Sequence, residues 1–274
     1  MIVRLIIVLL LYCVGRPGIA MAVNTPRFGV ARQAVAVFNQ AAAAGPRAVL
    51  HPDQCGQVRQ LEFIALPGTV FEVLAAPSSS PGVVQVRSAE YQAPAGVSLY
   101  VAAAALQPCQ DRPAERAPLL PSRASIVQTL RTAVGLPYVW GGNVRRGVVQ
   151  DGQVRFQGLD CSGLLYEATN GYTPRNTEQL VSFGKGVAIE GLGGEQLLQR
   201  LQPLDLLVWK GHVIIVLDQQ QVIESILRCN GQQDGVLISP LRTRLQQLLQ
   251  QRRPANDWPP GQVKAPLFVV RRWL

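Results

Sequence analysis

A cysteine becomes a strong nucleophile only when a base or a cation holds it as thiolate. The scarcity of histidine in this chain is therefore informative. Two histidines occur, His51 and His212. His51 stands in His51-Pro52-Asp53, a turn sequence in the N-terminal half. His212 opens an apolar, strand-like run in the same half as Cys161, so Cys161–His212 is the leading candidate for Cys–His chemistry. Asp160 is a good N-cap, and Cys161, Leu164, Leu165 and Ala168 fall on one helical face, so a helix is expected to start at the cysteine. Unpaired N–H groups and the dipole at a helix start favour a thiolate. Gly163 admits a close approach of another segment. The same residues also suit a structural cysteine, buried or bridged to Cys229. One histidine per half leaves no ligand cluster for metal catalysis, and no cofactor is expected.

The elements that must position this pair follow from the pattern of apolar residues. Residues 23 to about 45 are Ala-rich and weakly patterned, a lead-in segment. Short Val- and Phe-rich runs, Gln60–Ala65, Thr69–Ala75, Val83–Ser88 and Ser98–Ala102, are separated by Pro, Gly and Ser and predict a small β-barrel within 23–107. Prolines and charges at 108–121 mark a linker. From 122 to 274 the pattern changes. Ile126, Leu130 and Val134 recur at helical spacing and stop at Gly135; the Cys161 helix ends at Gly171. Asn176 with Gln179 resembles a capping box, and Leu197, Leu198 and Leu201 suggest a further short helix. Leu204–Trp209, His212–Leu217 and Val222–Ile226 read as strands. A Gln- and Arg-rich helix follows on Leu241, Leu245, Leu248 and Leu249, and Phe268–Val270 is a last strand. Helices first and strands later give an α+β domain.

The chain has 274 residues, 48% hydrophobic and 16% charged, which suits globular structure with real cores. A basic start, an apolar run from Leu5 to Val14 and Ala20-Met21-Ala22 form the pattern of a secretory signal peptide, residues 1–22. That run is shorter than the roughly 20 residues a membrane span needs. The mature chain is therefore expected outside the cytoplasm, in the periplasm or cell envelope, with no span left after cleavage. The formal charge of +9 falls to +7 on losing Arg4 and Arg16, which points to an anionic partner such as a wall or membrane surface, and export argues against nucleic acid. Four cysteines remain: Cys55, Cys109, Cys161 and Cys229. Pairs are expected in an oxidising compartment. Cys55 and Cys109 both flank the strand-rich region and are expected to pair.

Several pieces occur together in order: Pro137-Tyr138-Val139-Trp140-Gly141-Gly142, Asp160-Cys161-Ser162-Gly163, Pro174-Arg175 with Gln179, and Asp205-Leu206-Leu207-Val208-Trp209 followed by Gly211-His212-Val213. With them the chain from about Ser122 resembles the NlpC-type cell-wall cysteine peptidases. The resemblance implies a papain-like α+β core, preceded by a small all-β SH3-like barrel. It also implies hydrolysis of the γ-D-glutamyl–diaminopimelate bond of peptidoglycan stem peptides, with peptidoglycan or muropeptides as partner. Cys161 is then the nucleophile and His212 the base. Glu224 takes the third polar position, where many members have histidine, and its carboxylate would accept the imidazole Nδ1–H. A hairpin centred on Asp218 would set it directly opposite His212. Tyr138 and the Cys161 N–H would hold the oxyanion. Asp160 and Ser162 would bind the free amine of the L-Ala residue. Trp140 would line the substrate, unless it and Tyr138 are plain aromatic core. Arg175 would pair either with a substrate carboxylate or within a structural salt bridge. Leu204 replaces a common glycine, which would stiffen the turn and puts nothing catalytic in doubt. Cys229 matches no family role and is expected reduced and buried, because a bridge to Cys161 would abolish activity.

Other readings use the same residues. An amidase or acyltransferase on the same fold is one; permuted acyltransferase relatives place histidine before cysteine, and amidases of similar fold lack the Pro-Tyr-x-Trp-Gly-Gly block. An inactive wall-binding protein is another, against which the intact Cys161 and His212 count. Oligomeric state is not readable from the sequence.

Overall fold

The computed structural model describes residues 26–46, 48–150, 152–230, 233–262 and 265–274. The expected signal peptide at 1–22 lies outside them. In the N-terminal half come β1 (Phe28–Ala31), β2 (Val35–Phe38), a one-turn helix α1 (Ala41–Ala44), β3 (Leu61–Ala65), β4 (Val70–Ala75), β5 (Val83–Arg87), β6 (Leu99–Ala102) and β7 (Leu106–Cys109). The four expected strands are β3 to β6. The expected lead-in is instead β1, β2 and α1. Two four-residue strands are too short to show a period in the sequence, yet β1 alternates half-buried and buried positions and every residue of β2 is buried. All seven strands form one antiparallel sheet in the order β3-β2-β6-β5-β4-β1-β7. Its inner face gathers Val37, Phe63, Phe71, Val86 and Val101 into one core. The end strands β3 and β7 are not paired with each other, so the sheet stays open and the expected closed SH3-like barrel is not formed.

Residues 112–122 carry no helix or strand. The segment is nevertheless anchored, because Arg116 is bonded to both oxygens of Glu90 and to the Asn170 carbonyl.

The C-terminal half starts with α2 (Arg123–Thr132), capped by the Ser122 hydroxyl. It continues with β8 (Asn143–Val144), β9 (Val148–Gln150), β10 (Gln153–Arg155), β11 (Gly158–Leu159), α3 (Cys161–Ala168), α4 (Thr177–Leu180), β12 (Lys185–Gly186) and α5 (Gly194–Arg200). Then come β13 (Leu206–Trp209), β14 (His212–Val216), β15 (Gln221–Ile226), β16 (Gly235–Pro240), α6 (Leu241–Gln251), β17 (Arg253–Pro254) and β18 (Leu267–Arg272). The main sheet runs β12-β18-β13-β14-β15-β16, with β17 beside β18. Its apolar strands are covered on both faces, which is why they read as nearly continuous apolar runs rather than alternating ones. Leu206, Val208, Val213 and Ile215 pack with Leu130 of α2 and Leu164 and Leu165 of α3. Leu207, Ile214, Val216 and Val222 pack with Leu197 of α5 and Leu241, Leu245 and Leu248 of α6. No helix among the described residues is long and apolar enough to cross a membrane.

The two halves share a core in which Phe38, Leu61 and Ile64 meet Val148, Val139, Val144 and Phe156. Asn143 extends this join. Its amide accepts from Ile64 N at 2.9 Å and donates to Ile64 O at 2.8 Å, as a neighbouring strand would. A covalent link adds to it. Cys55 pairs with Cys229, 174 residues on, and Cys109 is free. Both cysteine expectations are thereby corrected: Cys55 does not pair with Cys109, and Cys229 is not a reduced buried thiol. The turn holding Cys55 lies against the loop after β15, a long-range placement that strand order cannot foretell.

Candidate active site

Cys161 is the first residue of α3 and is 7% exposed. The helix starts there because Asp160 caps it: Asp160 Oδ1 accepts from Gly163 N at 2.6 Å. As the first helical residue, Cys161 has an N–H with no acceptor inside the helix. Gly163 is required by space, since a Cβ there would collide with the Gly142 carbonyl. Gly142 O in turn accepts from Asp160 N at 2.9 Å. The Tyr138–Gly142 segment is thus fastened directly beside the cysteine.

Asp160 has a second partner. Arg175, 2% exposed, reaches Asp160 Oδ2 through Nη2 at 2.7 Å and Oδ1 through Nη1 at 3.1 Å. It also donates to Ser162 Oγ at 2.9 Å and Asn143 Oδ1 at 2.9 Å. Of the two uses expected for Arg175, the structural salt bridge is the one observed, and a substrate carboxylate has no access to it. The Ser162 hydroxyl also donates to Asp160 Oδ1 at 3.2 Å. Asn143 therefore joins the β3 backbone to the network under the cysteine.

His212 stands at the start of β14 with its side chain 14% exposed, its ring 5.1 Å from that of Trp209. Its Nε2 lies 2.7 Å from Glu224 Oε2. The other nitrogen, Nδ1, does not face the carboxylate, and the nearby Cys161 acts on the imidazole by hydrogen bonding and by charge, both of which raise it. The expected use of Nδ1 toward the carboxylate is therefore reversed. The hairpin register differs too. Ile215 faces Ile223 and Val216 faces Val222, a register that, continued, sets Glu224 across from Ile214 and His212 on the diagonal. The turn is centred one residue beyond Asp218. A whole-residue displacement of the centre moves the pairing by two positions and keeps both side chains on one face.

Arg244 of α6 was not singled out by sequence. Its Nε lies 2.5 Å from Glu224 Oε1 and its Nη2 lies 3.0 Å from Glu224 Oε2. The only sequence signal is position: Arg244 is beside Leu245 on the helix whose leucines dock on the sheet. Burial disfavours the Glu224 carboxylate, but hydrogen bonds from His212 and Arg244 outweigh it and hold Glu224 down at about 2. Burial likewise disfavours the charged imidazole. The hydrogen bonds to Cys161 and Glu224, with the charge of both, overcome this and bring His212 up to about 9.

These shifts predict a pH window for stability. His212 is raised from 6.5, so its contribution is complete below pH 6.5 and is lost as pH rises through about 9. Glu224 is lowered from 4.5, so its contribution is complete above pH 4.5 and is lost as pH falls toward about 2. Urea midpoints are expected to be highest between pH 4.5 and 6.5, and His212→Gln should remove the alkaline fall. A wild-type midpoint that stays level through pH 9 contradicts this.

Tyr138 is half-buried, and burial followed by the nearby Cys161 charge pushes its phenol far above the usual range. It stays a neutral hydrogen-bond donor. Trp140 is 37% exposed, under the Arg59 guanidinium at 4.2 Å from its ring centre, which makes it a surface aromatic rather than core. The Gln57 side chain accepts from Trp140 N at 2.9 Å and donates to Tyr138 O at 3.4 Å. The N-terminal half therefore supplies part of the wall around this segment. His51 is exposed in that half. Among the described residues, no group of three His, Cys, Asp or Glu is placed to hold a metal ion.

Residues 135–250 match the family model described as "NlpC/P60 family". The gamma-D-glutamyl-L-lysine dipeptidyl-peptidase of Bacillus subtilis strain 168 is 36% identical over 76 residues, 27% of this chain. The match spans 22% of that relative's own length. Among solved structures, an NlpC/P60 endopeptidase from Photobacterium damselae subsp. piscicida covers 79% of this chain and 66% of its own, at 12% identity and a TM-score of 0.48. An NlpC/P60 family protein from Bacillus cereus ATCC 10987 covers 92% of this chain and 64% of its own, at 18% identity and a TM-score of 0.35. RipD of Mycobacterium tuberculosis, described as a non-catalytic NlpC/p60 domain protein adapted to peptidoglycan binding, covers 56% of this chain and 97% of its own, at 20% identity and a TM-score of 0.35.

Proposed function

The chain carries an NlpC/P60 family domain at residues 135–250, and from that premise we propose that it is an exported cysteine endopeptidase of peptidoglycan stem peptides. The observation that carries this reading is the His212–Glu224 contact of 2.7 Å, with Cys161 at a helix start and near enough to raise the imidazole. The core is read as papain-like, and the open N-terminal sheet as a relative of SH3-like modules.

In the proposed reaction, the Cys161 thiol proton passes to His212 Nδ1 and the sulfur attacks the γ-carbonyl of D-glutamate. Negative charge moves to the carbonyl oxygen, where we assign the Cys161 N–H and the Tyr138 hydroxyl to receive it. The imidazolium, steadied by Glu224, returns its proton to the departing amine as the C–N bond breaks. Water then gives its proton to His212, and the hydroxide cleaves the thioester, releasing the acid and the thiol. The bond proposed is γ-D-glutamyl–diaminopimelate. The B. subtilis relative's name supports the γ-D-glutamyl acyl side and gives L-lysine on the amine side.

Two carboxylates, Asp160 and Glu62, lie close enough to Tyr91 to act on its hydroxyl. Asp160 is already matched by Arg175. Glu62 is held by Asn39 and by Tyr91, the latter at 2.6 Å, and has no cation in bonding range among the described residues. The free amine at the substrate's L-Ala end is assigned to Asp160 and Ser162, with the Glu62 carboxylate as a further negative charge acting on the neighbouring Tyr91. Incubating the mature protein with purified muropeptides and weighing the products tests the reading. Release of L-Ala–D-Glu is expected; cleavage at another bond, or none, would sink it.

A further inference from the structure

A full carboxylate against the base of a thiolate–imidazole pair creates a difficulty that a neutral partner would not. The imidazolium must be stable enough to keep the sulfur ionised, yet must surrender its proton to the departing amine. A buried glutamate with no counter-charge would hold that proton too firmly.

The surroundings of Glu224 address this. Glu224 is 1% exposed and sits mid-strand in β15. On one side, β14 brings His212, beyond which lies Cys161. On the other, β16 places Leu237 opposite it and no charge. From above, α6 brings Arg244, whose side chain is 14% exposed. Residues of the same parity on the two strands, Ile214, Val216 and Val222, pack on the leucines of α6. The docking that buries Leu241, Leu245 and Leu248 therefore also seats the guanidinium. Arg244 takes both carboxylate oxygens, and His212 shares one of them.

We infer that Arg244 is a positioning residue of the Cys161–His212 pair: it fixes the Glu224 carboxylate in the plane that His212 Nε2 needs and cancels part of the field that the carboxylate exerts on the imidazolium. It touches neither substrate nor the reacting atoms. The inference rests on Cys161 and His212 being the reacting pair, and the test separates the two.

The experiment follows two pH profiles in the full mature chain carrying Cys109→Ser, which leaves Cys161 as its one free thiol among the described residues. One is kcat on muropeptide tripeptide; the other is the rate of Cys161 alkylation by iodoacetamide, which needs no substrate. Arg244→Gln is expected to lower kcat about 10-fold. It should also move the alkaline limb of both profiles up by about one pH unit, because removing a cation favours the imidazolium. Arg244→Lys keeps the charge and should leave the limb in place while recovering part of kcat. In a Glu224→Gln background, Arg244→Gln should change either rate less than about 3-fold, since its route of action is gone. Lost stability with an unmoved limb, or losses at 224 and 244 that simply multiply, overturns the inference. If Arg244→Gln does not fold, the Lys variant and the double variant still decide it. If alkylation is indifferent to His212→Ala, the pair itself fails; if it responds to His212 but not to Arg244, only this inference does.

Discussion

Replacing Cys161 by alanine is expected to lower cleavage of a γ-D-glutamyl substrate by about 10⁴-fold or more, because no other group can form the acyl intermediate. His212→Ala should cost a similar factor, and the double variant should be no worse than either single one. Residues that act as one unit lose their effect together. The fold should tolerate the change. Cys161 is a small, nearly buried residue at the start of α3, and alanine keeps the helix and its Asp160 cap, so the stability cost is about 1 kcal/mol. A second readout separates lost chemistry from lost structure. The hydrogen bond and charge of Cys161 both help raise His212. In Cys161→Ala the imidazole should therefore titrate lower, and the alkaline end of the stability window should move down with it. Residual activity near wild type, or an unmoved His212 titration in a folded variant, would remove Cys161 from the pair.

The proposed Cys161–His212 pair is legible in the sequence because it depends on local and scarce features. Asp160 ahead of an i, i+3, i+4 apolar pattern gives a capped helix whatever surrounds it, and a single histidine in the same half leaves one partner. Strand identity in β13 to β15 was equally local. The register of one hairpin was not, and its centre fell one residue beyond Asp218; Glu224 survived the error because a shift of two in pairing preserves the face. What failed depends on how remote segments meet. The Cys55–Cys229 link needs a turn of the first half beside a loop of the second. Arg244 owes its role to where α6 docks, and a helix rich in Gln and Arg gives no sign of which arginine turns inward. Arg175 reads in sequence equally as a partner for a substrate carboxylate or as part of a structural salt bridge, and only its burial among the largest fully buried side chains decides between them. Strands β1 and β2 were missed for a different reason: four residues carry too little pattern to outweigh an Ala-rich composition.

Arg175→Met is expected to destabilise the protein by roughly 3–5 kcal/mol, since it strips the partner from a carboxylate that is itself buried. Asp160 is 8% exposed and would keep only the Gly163 N–H and the Ser162 hydroxyl. The loss would not stop there. Arg175 Nε also donates to Asn143, the residue that copies a strand edge onto Ile64, so the join between the halves should loosen with it. Urea unfolding should show a lower midpoint. Asp160→Asn tests the cause. Asparagine caps helices as well as aspartate does, so α3 should still begin at Cys161. The orphaned charge would then be on Arg175 instead, with a loss of similar size. Combining Asp160→Asn with Arg175→Met removes both charges, and a buried ion pair replaced by neutral groups of similar volume can approach the stability of the original. The double variant should accordingly be more stable than either single one. If the losses add, the two residues are stabilised by separate neighbours and the charge pair is not what holds the floor of the site. If Arg175→Met costs less than about 1 kcal/mol, the site is held by its apolar packing on α3 alone.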